Sequence, residues 1–309
     1  MPKPPAPPES TGKKKLPPKK LPPKNPTSAR AGKVEQAVDP TKKYELHTGI
    51  MSRGEKIILY GQSGMGKTTL ATLAPKPVFV ATDDGVDEIV HPVTGEPLAR
   101  YKADTFQDVR NILNQPALFK GFETIVLDTA TECQNYGVTH VLENVTKDGQ
   151  YMKNLEAFGY SKGYVHLSDH MNLVRHDLQK LCDLGFNVIV ICQQAPVKRS
   201  EAGVEDYLKD APKLVFRPGV GATAALDFVE WAGHCFRVGY GDLRVKGKRV
   251  QSSGDRVVFV HPEVHFEAKS RTIPGSFPVV SFDDKADDSI WRFVFDQVWK
   301  DMQAEDGDE

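Results

Sequence analysis

Hydrophobic residues along this chain fall into short continuous runs separated by longer stretches of helical spacing. Lys56–Tyr60, Val78–Thr82, Thr124–Asp128 and Asn187–Cys192 are each apolar or β-branched at nearly every position. Such runs do not alternate in and out, so they predict strands covered on both faces, as in a parallel sheet. Between the last two, Val165, Met171, Val174, Leu178 and Leu181 recur at helical spacing and predict an amphipathic helix over residues 163–183. Residues 221–232 read as a further helix and Cys235–Val238 as extended chain. Arg256–Val260 and Val264–Ala268 suit an antiparallel hairpin at the sheet edge. Ser289–Met302, with Trp291, Phe293, Val294, Val298 and Trp299, reads as a closing helix. Strands alternating with helices predict an α/β domain with a mainly parallel sheet.

The first run is followed at once by Gly61-Gln62-Ser63-Gly64-Met65-Gly66-Lys67-Thr68, which meets GxxxxGK[ST] at every fixed position, and Thr69–Leu73 continues as a helix. Strand, glycine loop and helix in that order are the context that gives a P-loop its meaning. The glycines let successive backbone N–H groups turn inward as an anion nest. Gly61, Ser63, Gly64, Met65, Gly66, Lys67, Thr68 and Thr69 are therefore the expected nucleotide-binding set. Lys67 would reach the β- and γ-phosphates of ATP, and the Thr68 hydroxyl would ligate Mg²⁺.

A P-loop requires a second acidic strand end to hold the metal, and Asp128 closes the Thr124–Asp128 run. A strand-terminal Asp capping the next helix is the structural alternative. The Val78–Thr82 run delivers Asp83 and Asp84, and the Asn187–Cys192 run delivers Gln193 and Gln194, to the same sheet edge. Either glutamine suits a γ-phosphate sensor. Asp83, Asp84 and Glu132 are the candidates to orient an attacking water, although Asp83-Asp84-Gly85 is also good turn chemistry. The expected catalytic set is Lys67, Asp84, Asp128 and Gln193.

Other segments carry weaker chemistry. His166 and His170 stand four apart but have no third ligand nearby in sequence, and they read as exposed polar histidines. Residues 147–153 and 158–164 mix aromatic, basic and glycine residues, a composition that serves either base stacking or a hinged loop covering the core. After Gln194 a polar loop carries Lys198 and Arg199, candidates for DNA phosphates. Lys269 and Arg271 flank Ser270 at a strand end, where a cation pair could serve a neighbouring subunit as a trans-acting finger.

Charge changes the picture at the chain's beginning. The net charge of -1 over 309 residues hides a segment, residues 1–43, with eleven basic against three acidic side chains. That is +8, leaving -9 for the rest. Ten prolines precede Thr27, including two LPPK units, so residues 1–43 are expected to be a disordered basic arm in extended polyproline conformation. A solubilising tail and a phosphate-binding arm both fit. Residues 44–300 are then the folded domain and 301–309 an acidic tail. Four cysteines without a CxxC pair indicate neither a disulfide scaffold nor a zinc module. No apolar run is long enough to span a bilayer, and the first residues lack a signal-peptide core, so a cytoplasmic protein with no membrane partner is expected.

Taken together, IILYGQSGMGKTTLA, ATDDG, ETIVLDTAT, FNVIVICQQ and EAKSRTIPG, spanning residues 44–299, resemble a family of phage-type RecA-like ATPases that includes single-strand annealing and recombination proteins. The family pattern usually has Glu near the end of the second strand, where this chain has Asp83-Asp84. The resemblance implies a RecA-like P-loop fold, ATP with Mg²⁺, a homo-oligomer with nucleotide between subunits, single-stranded DNA as partner and a host-cell cytoplasm setting if phage-encoded. A single-strand-binding protein is a further candidate partner. Three functions compete: an ATP-hydrolysing recombination protein, a nucleotide-gated annealing module with little hydrolysis, and a small-molecule kinase, which lacks an evident arginine-bearing lid.

Overall fold

A computed structural model describes residues 53–306, apart from 201, 202, 204, 242, 243, 247, 248, 252, 253 and 283. The basic arm of residues 1–43 lies outside the described residues.

The strands are β1 (Lys56–Gly61), β2 (Pro77–Ala81), β3 (Arg100–Lys102), β4 (Thr124–Asp128), β5 (Thr146–Lys147), β6 (Gln150–Tyr151), β7 (Asn187–Arg199), β8 (Tyr207–Pro212), β9 (His234–Tyr240), β10 (Arg244–Lys246), β11 (Arg249–Gln251), β12 (Arg256–Phe259), β13 (Lys269–Ser270) and β14 (Val279–Ser281). The helices are α1 (Lys67–Thr72), α2 (Phe106–Leu113), α3 (Ala130–Asn144), α4 (Lys162–Asp183), α5 (Ala224–Trp231), α6 (Ser289–Trp291) and α7 (Trp299–Asp306). One ten-stranded sheet carries the fold, in the order β14-β12-β9-β1-β7-β4-β2-β3, with β13 beside β9 and β8 beside β7. From β9 to β3 all neighbours along this path run parallel. Only β7 separates the P-loop strand β1 from the Asp128 strand β4. That order, with helices on both faces, is a RecA-like P-loop fold.

The central strands alternate between two apolar layers, which is why their sequences are apolar throughout. Ile58 and Tyr60 of β1 face a core shared with Met171, Val174, Leu178 and Leu181 of α4. Ile57 and Leu59 face the opposite layer, with Leu70 of α1 and Trp291 of α6. Trp291 also donates its indole N–H to the Leu70 carbonyl at 2.7 Å, tying the closing segment to the helix that follows the P-loop.

Three expectations about secondary structure are corrected. The polar loop after Gln194 is instead the outer half of β7, paired antiparallel with β8 from Gln194↔Pro212 to Arg199↔Tyr207. Half-buried positions 195, 197 and 199 alternate with exposed 196 and 198, a one-sided strand pattern within a segment that reads as polar overall. The 256–260 run does not pair with 264–268. It lies between β9 and β14, antiparallel to both, and Phe266 folds back onto Phe259 with ring centroids 4.7 Å apart. The closing helix is broken: α6 gives way to a wider turn over residues 292–296, Gln297 takes φ 53°, and α7 starts at Trp299, running into the expected acidic tail.

Candidate functional site

At the carboxyl end of β1 the chain turns through Gly64 at φ 76° and Gly66 at φ 89° before entering α1. Both values lie in the left-handed region that favours glycine. Gly66 has a second constraint: a Cβ there would lie 2.8 Å from Nη1 of Arg256, whose guanidinium rests on the Phe282 ring. Nothing in the sequence around the P-loop announces these two packing partners, because they arrive from β12 and just beyond β14.

Lys67 is buried and folds back over the loop. Its Nζ donates to the carbonyl oxygens of Gly61 (3.0 Å) and Gln62 (2.7 Å) and reaches Oε1 of Gln193 at 3.4 Å. Register explains the last contact, since Gly61 of β1 is paired with Gln193 of β7. Burial lowers the Lys67 pKa, with Asp128 opposing that shift. On the next strand over, Asp128 is 2% exposed and accepts a 2.7 Å hydrogen bond from the Thr68 hydroxyl. Burial pushes its carboxyl up to about 6, and Asp83 adds to the shift, while the Thr68 bond and Lys67 act against it. Two hard oxygen donors held together beside an anion nest fit Mg²⁺, which takes few protein ligands and keeps phosphate and water oxygens as the rest. When bound there, the metal would neutralise charge on the phosphates.

These groups line a cleft of about 350 Å³. Of the expected nucleotide-binding residues, Ser63, Gly64, Gly66, Lys67, Thr68 and Thr69 line it. Gly61 contributes a carbonyl to Lys67, and the Met65 side chain is buried in the core layer of α1. Asp128 and Gln193 also line the cleft, as do Ile89 and Thr129, which sequence reading did not single out. Thr131 was missed as well; its hydroxyl accepts from the Gln193 backbone N–H at 3.0 Å and so fixes the strand that carries the glutamine.

The acid candidates separate clearly. Asp83, not Asp84, lines the cleft, and its carboxylate accepts from the Gly85 N–H at 2.9 Å. Asp84 is corrected as a cleft residue: it turns outward to Lys102 of β3, 2.9 Å away, because the short turn after β2 places successive side chains on opposite sides. Glu132 accepts from its helix neighbour Asn135 at 2.8 Å and does not line the cleft. Gln194 faces away from Lys67 and donates to Asp210 (2.6 Å), which also meets Arg237 at 3.3 Å.

The remaining candidates lie elsewhere. Lys269 donates to the carbonyls of Val229 (2.8 Å) and Glu230 (3.2 Å), and Arg271 to that of Glu230 (3.3 Å), so both cap the carboxyl end of α5. Ser270 between them pairs with His234, which is level with Ile57 near the start of β1 and thus at the sheet edge opposite the P-loop. Within one chain neither cation enters the cleft. Lys198 pairs with Asp206 at 2.5 Å and remains largely exposed. Arg199 is engaged with Glu267 at 2.7 Å and lies over the Phe216 ring. His166 and His170 are half-buried rather than exposed, packed on Phe158 and Phe106 respectively, and no cluster of three or more His, Cys, Asp or Glu side chains that could hold a metal is present among the described residues. No helix among those residues is long and apolar enough to cross a membrane.

Residues 53–272 match the sequence profile of a family described as an AAA domain. No curated protein matches the chain. Among solved structures, a KaiC-like protein, PH0186 from the hyperthermophilic archaeon Pyrococcus horikoshii OT3, is similar to it. The two are 14% identical, with a TM-score of 0.39 over 74% of this chain and 90% of that one.

Proposed function

The chain belongs to the AAA domain family, and from that premise we propose that it is an Mg-dependent ATPase of DNA recombination that handles or anneals single-stranded DNA as a homo-oligomer. The observation that carries the nucleotide half is the meeting of Thr68 with Asp128, 2.7 Å apart, beside Lys67 and Gln193 in one cleft. Lys67 would leave its backbone carbonyls for the β- and γ-phosphates. Thr68 and Asp128 would hold the metal, Gln193 would contact the γ-phosphate, and Asp83 would orient the attacking water. The DNA half is supported by the resemblance carried by ATDDG, FNVIVICQQ and EAKSRTIPG and by the +8 charge of residues 1–43. Lys269 and Arg271 would act on a neighbouring subunit's nucleotide after leaving their helix-capping bonds.

ATP turnover with and without single-stranded DNA, read beside the oligomer mass, tests this reading. Stimulation by single strands is expected, with turnover falling about 100- to 1000-fold in Lys67→Ala. Normal hydrolysis in that variant would overturn the site. Deleting residues 1–43 should weaken DNA binding and flatten its salt dependence while leaving ATP binding intact. One observation favours the second reading, a nucleotide-gated annealing module with little hydrolysis: the only second-strand carboxylate in the cleft, Asp83, is already engaged with its own turn. Annealing that persists without turnover would select it.

A further inference from the structure

Tyr160 is 94% exposed, the most exposed of the large hydrophobic side chains among the described residues, and Tyr151 nearby in sequence is 66% exposed. Tyr160 and Ser161 both adopt left-handed backbone, at φ 48° and 57°, where a side chain other than glycine is strained. The segment is nonetheless rigidly held. Leu155 and Phe158 are buried in the core, and a Cβ on Gly163 would lie 2.3 Å from the Leu155 carbonyl oxygen. Asn154 accepts from the Ala157 N–H at 2.8 Å. Lys147 of the β5–β6 hairpin reaches the Ala157 carbonyl at 3.4 Å, which brings the hairpin against the segment that ends in Tyr160.

From this geometry we propose that Tyr160 and Tyr151, flanked by exposed Lys147, Lys153 and Lys162, form a platform for single-stranded nucleic acid, the rings stacking on bases and the lysines meeting phosphates. The left-handed pair closes the turn from Gly159 to Lys162, 3.0 Å between carbonyl and N–H, and opens α4, but the ring that this turn projects is left in water, and an unpaired base offers the face that the ring lacks. The alternative role of such aromatics, covering the core, does not apply to a side chain so exposed. Charge around the rings is mixed but leans positive: three lysines stand against the exposed carboxylates of Asp148 and Glu156, the latter accepting from the Tyr164 hydroxyl, and the Arg217 guanidinium lies 3.8 Å from the Tyr164 ring centroid. The segment that carries Arg217 is also tied to β7. Four residues before Arg217, Lys213 donates its backbone N–H to the Gln193 carbonyl at 2.7 Å.

This proposal rests on the single-strand reading above, and the test separates the two. The full chain is titrated with a fluorescent oligo-dT and with a duplex of equal length, for wild type, Tyr160→Gly, Tyr160→Trp and Tyr151→Ala. Tyr160→Gly should weaken oligo-dT binding about 5- to 100-fold, the range for one lost base stack. The same variant should raise the thermal midpoint, because glycine relieves the left-handed strain. Tyr160→Trp should retain binding, and duplex affinity should change little. Wild-type affinity in Tyr160→Gly, or equal losses for single strand and duplex, would overturn the platform and leave the single-strand reading standing. Absence of oligo-dT binding by wild type would overturn both.

Discussion

The Thr68 hydroxyl and the Asp128 carboxylate stand 2.7 Å apart although sixty residues separate them in sequence and a whole strand, β7, lies between β1, which leads into the helix of Thr68, and β4, which ends in Asp128. The P-loop at the end of β1 carries Thr68, in the first turn of α1, to the same sheet edge at which β4 ends in Asp128. The Thr68 bond gives one oxygen of the buried carboxylate a donor while the residue lines the cleft, a position suited to a metal shared with phosphate.

That burial has a pH consequence. The Asp128 carboxyl is pushed from the ordinary range near 4 up to about 6, so between those values the folded chain keeps a proton that the unfolded chain has released. Stability from this group is therefore lost as pH rises through that window. Without metal or nucleotide, Asp128→Asn should gain on wild type by about 2–3 kcal/mol between pH 4 and pH 7. Thermal midpoints across that range measure it, and a constant gap would refute the assignment. Since Mg²⁺ competes with the same proton, its half-saturating concentration should rise below about pH 6.

Asp83 and Asp84 should behave unlike each other. Asp83→Asn is expected to lower kcat about 100- to 10,000-fold, the range for losing a group that takes the proton of the attacking water. Asp84→Asn, whose partner is Lys102 outside the cleft, should leave turnover near wild type and lose only an exposed ion pair. Steady-state ATP hydrolysis in both variants decides it. A larger loss in Asp84→Asn would mean that the turn after β2 rearranges when nucleotide binds.

Arg199 should matter for the β7–β8 hairpin and Lys198 should not. The Arg199–Glu267 pair is about one-fifth exposed on each side, and Lys209 reaches the same carboxylate at 3.3 Å. Arg199→Ala is expected to cost about 1–3 kcal/mol, read as a lower thermal midpoint. Lys198→Ala should stay within about 0.5 kcal/mol. If Arg199→Ala instead keeps full stability while DNA binding drops, Arg199 is a phosphate contact and its bond to Glu267 is incidental.

The sequence alone determined the parts whose chemistry is local. A P-loop is a run of consecutive residues, so its glycines, Lys67 and Thr68 can be read without the fold. The four apolar strand runs announce burial on both faces by composition, and the Gly163–Asp183 periodicity names its own helix. Tertiary structure decided whatever depends on the direction of a side chain at a strand end or on a distant partner. The turn after β2 chose Asp83 over Asp84. Pairing with β8 and the hold of Glu267 turned a polar stretch into a strand. The Arg256 and Phe282 packing at Gly66, and the exposure of Tyr160, also had no local signal. In each case the deciding contact joins segments far apart in the chain, where spacing and composition carry no information about which neighbour will be met.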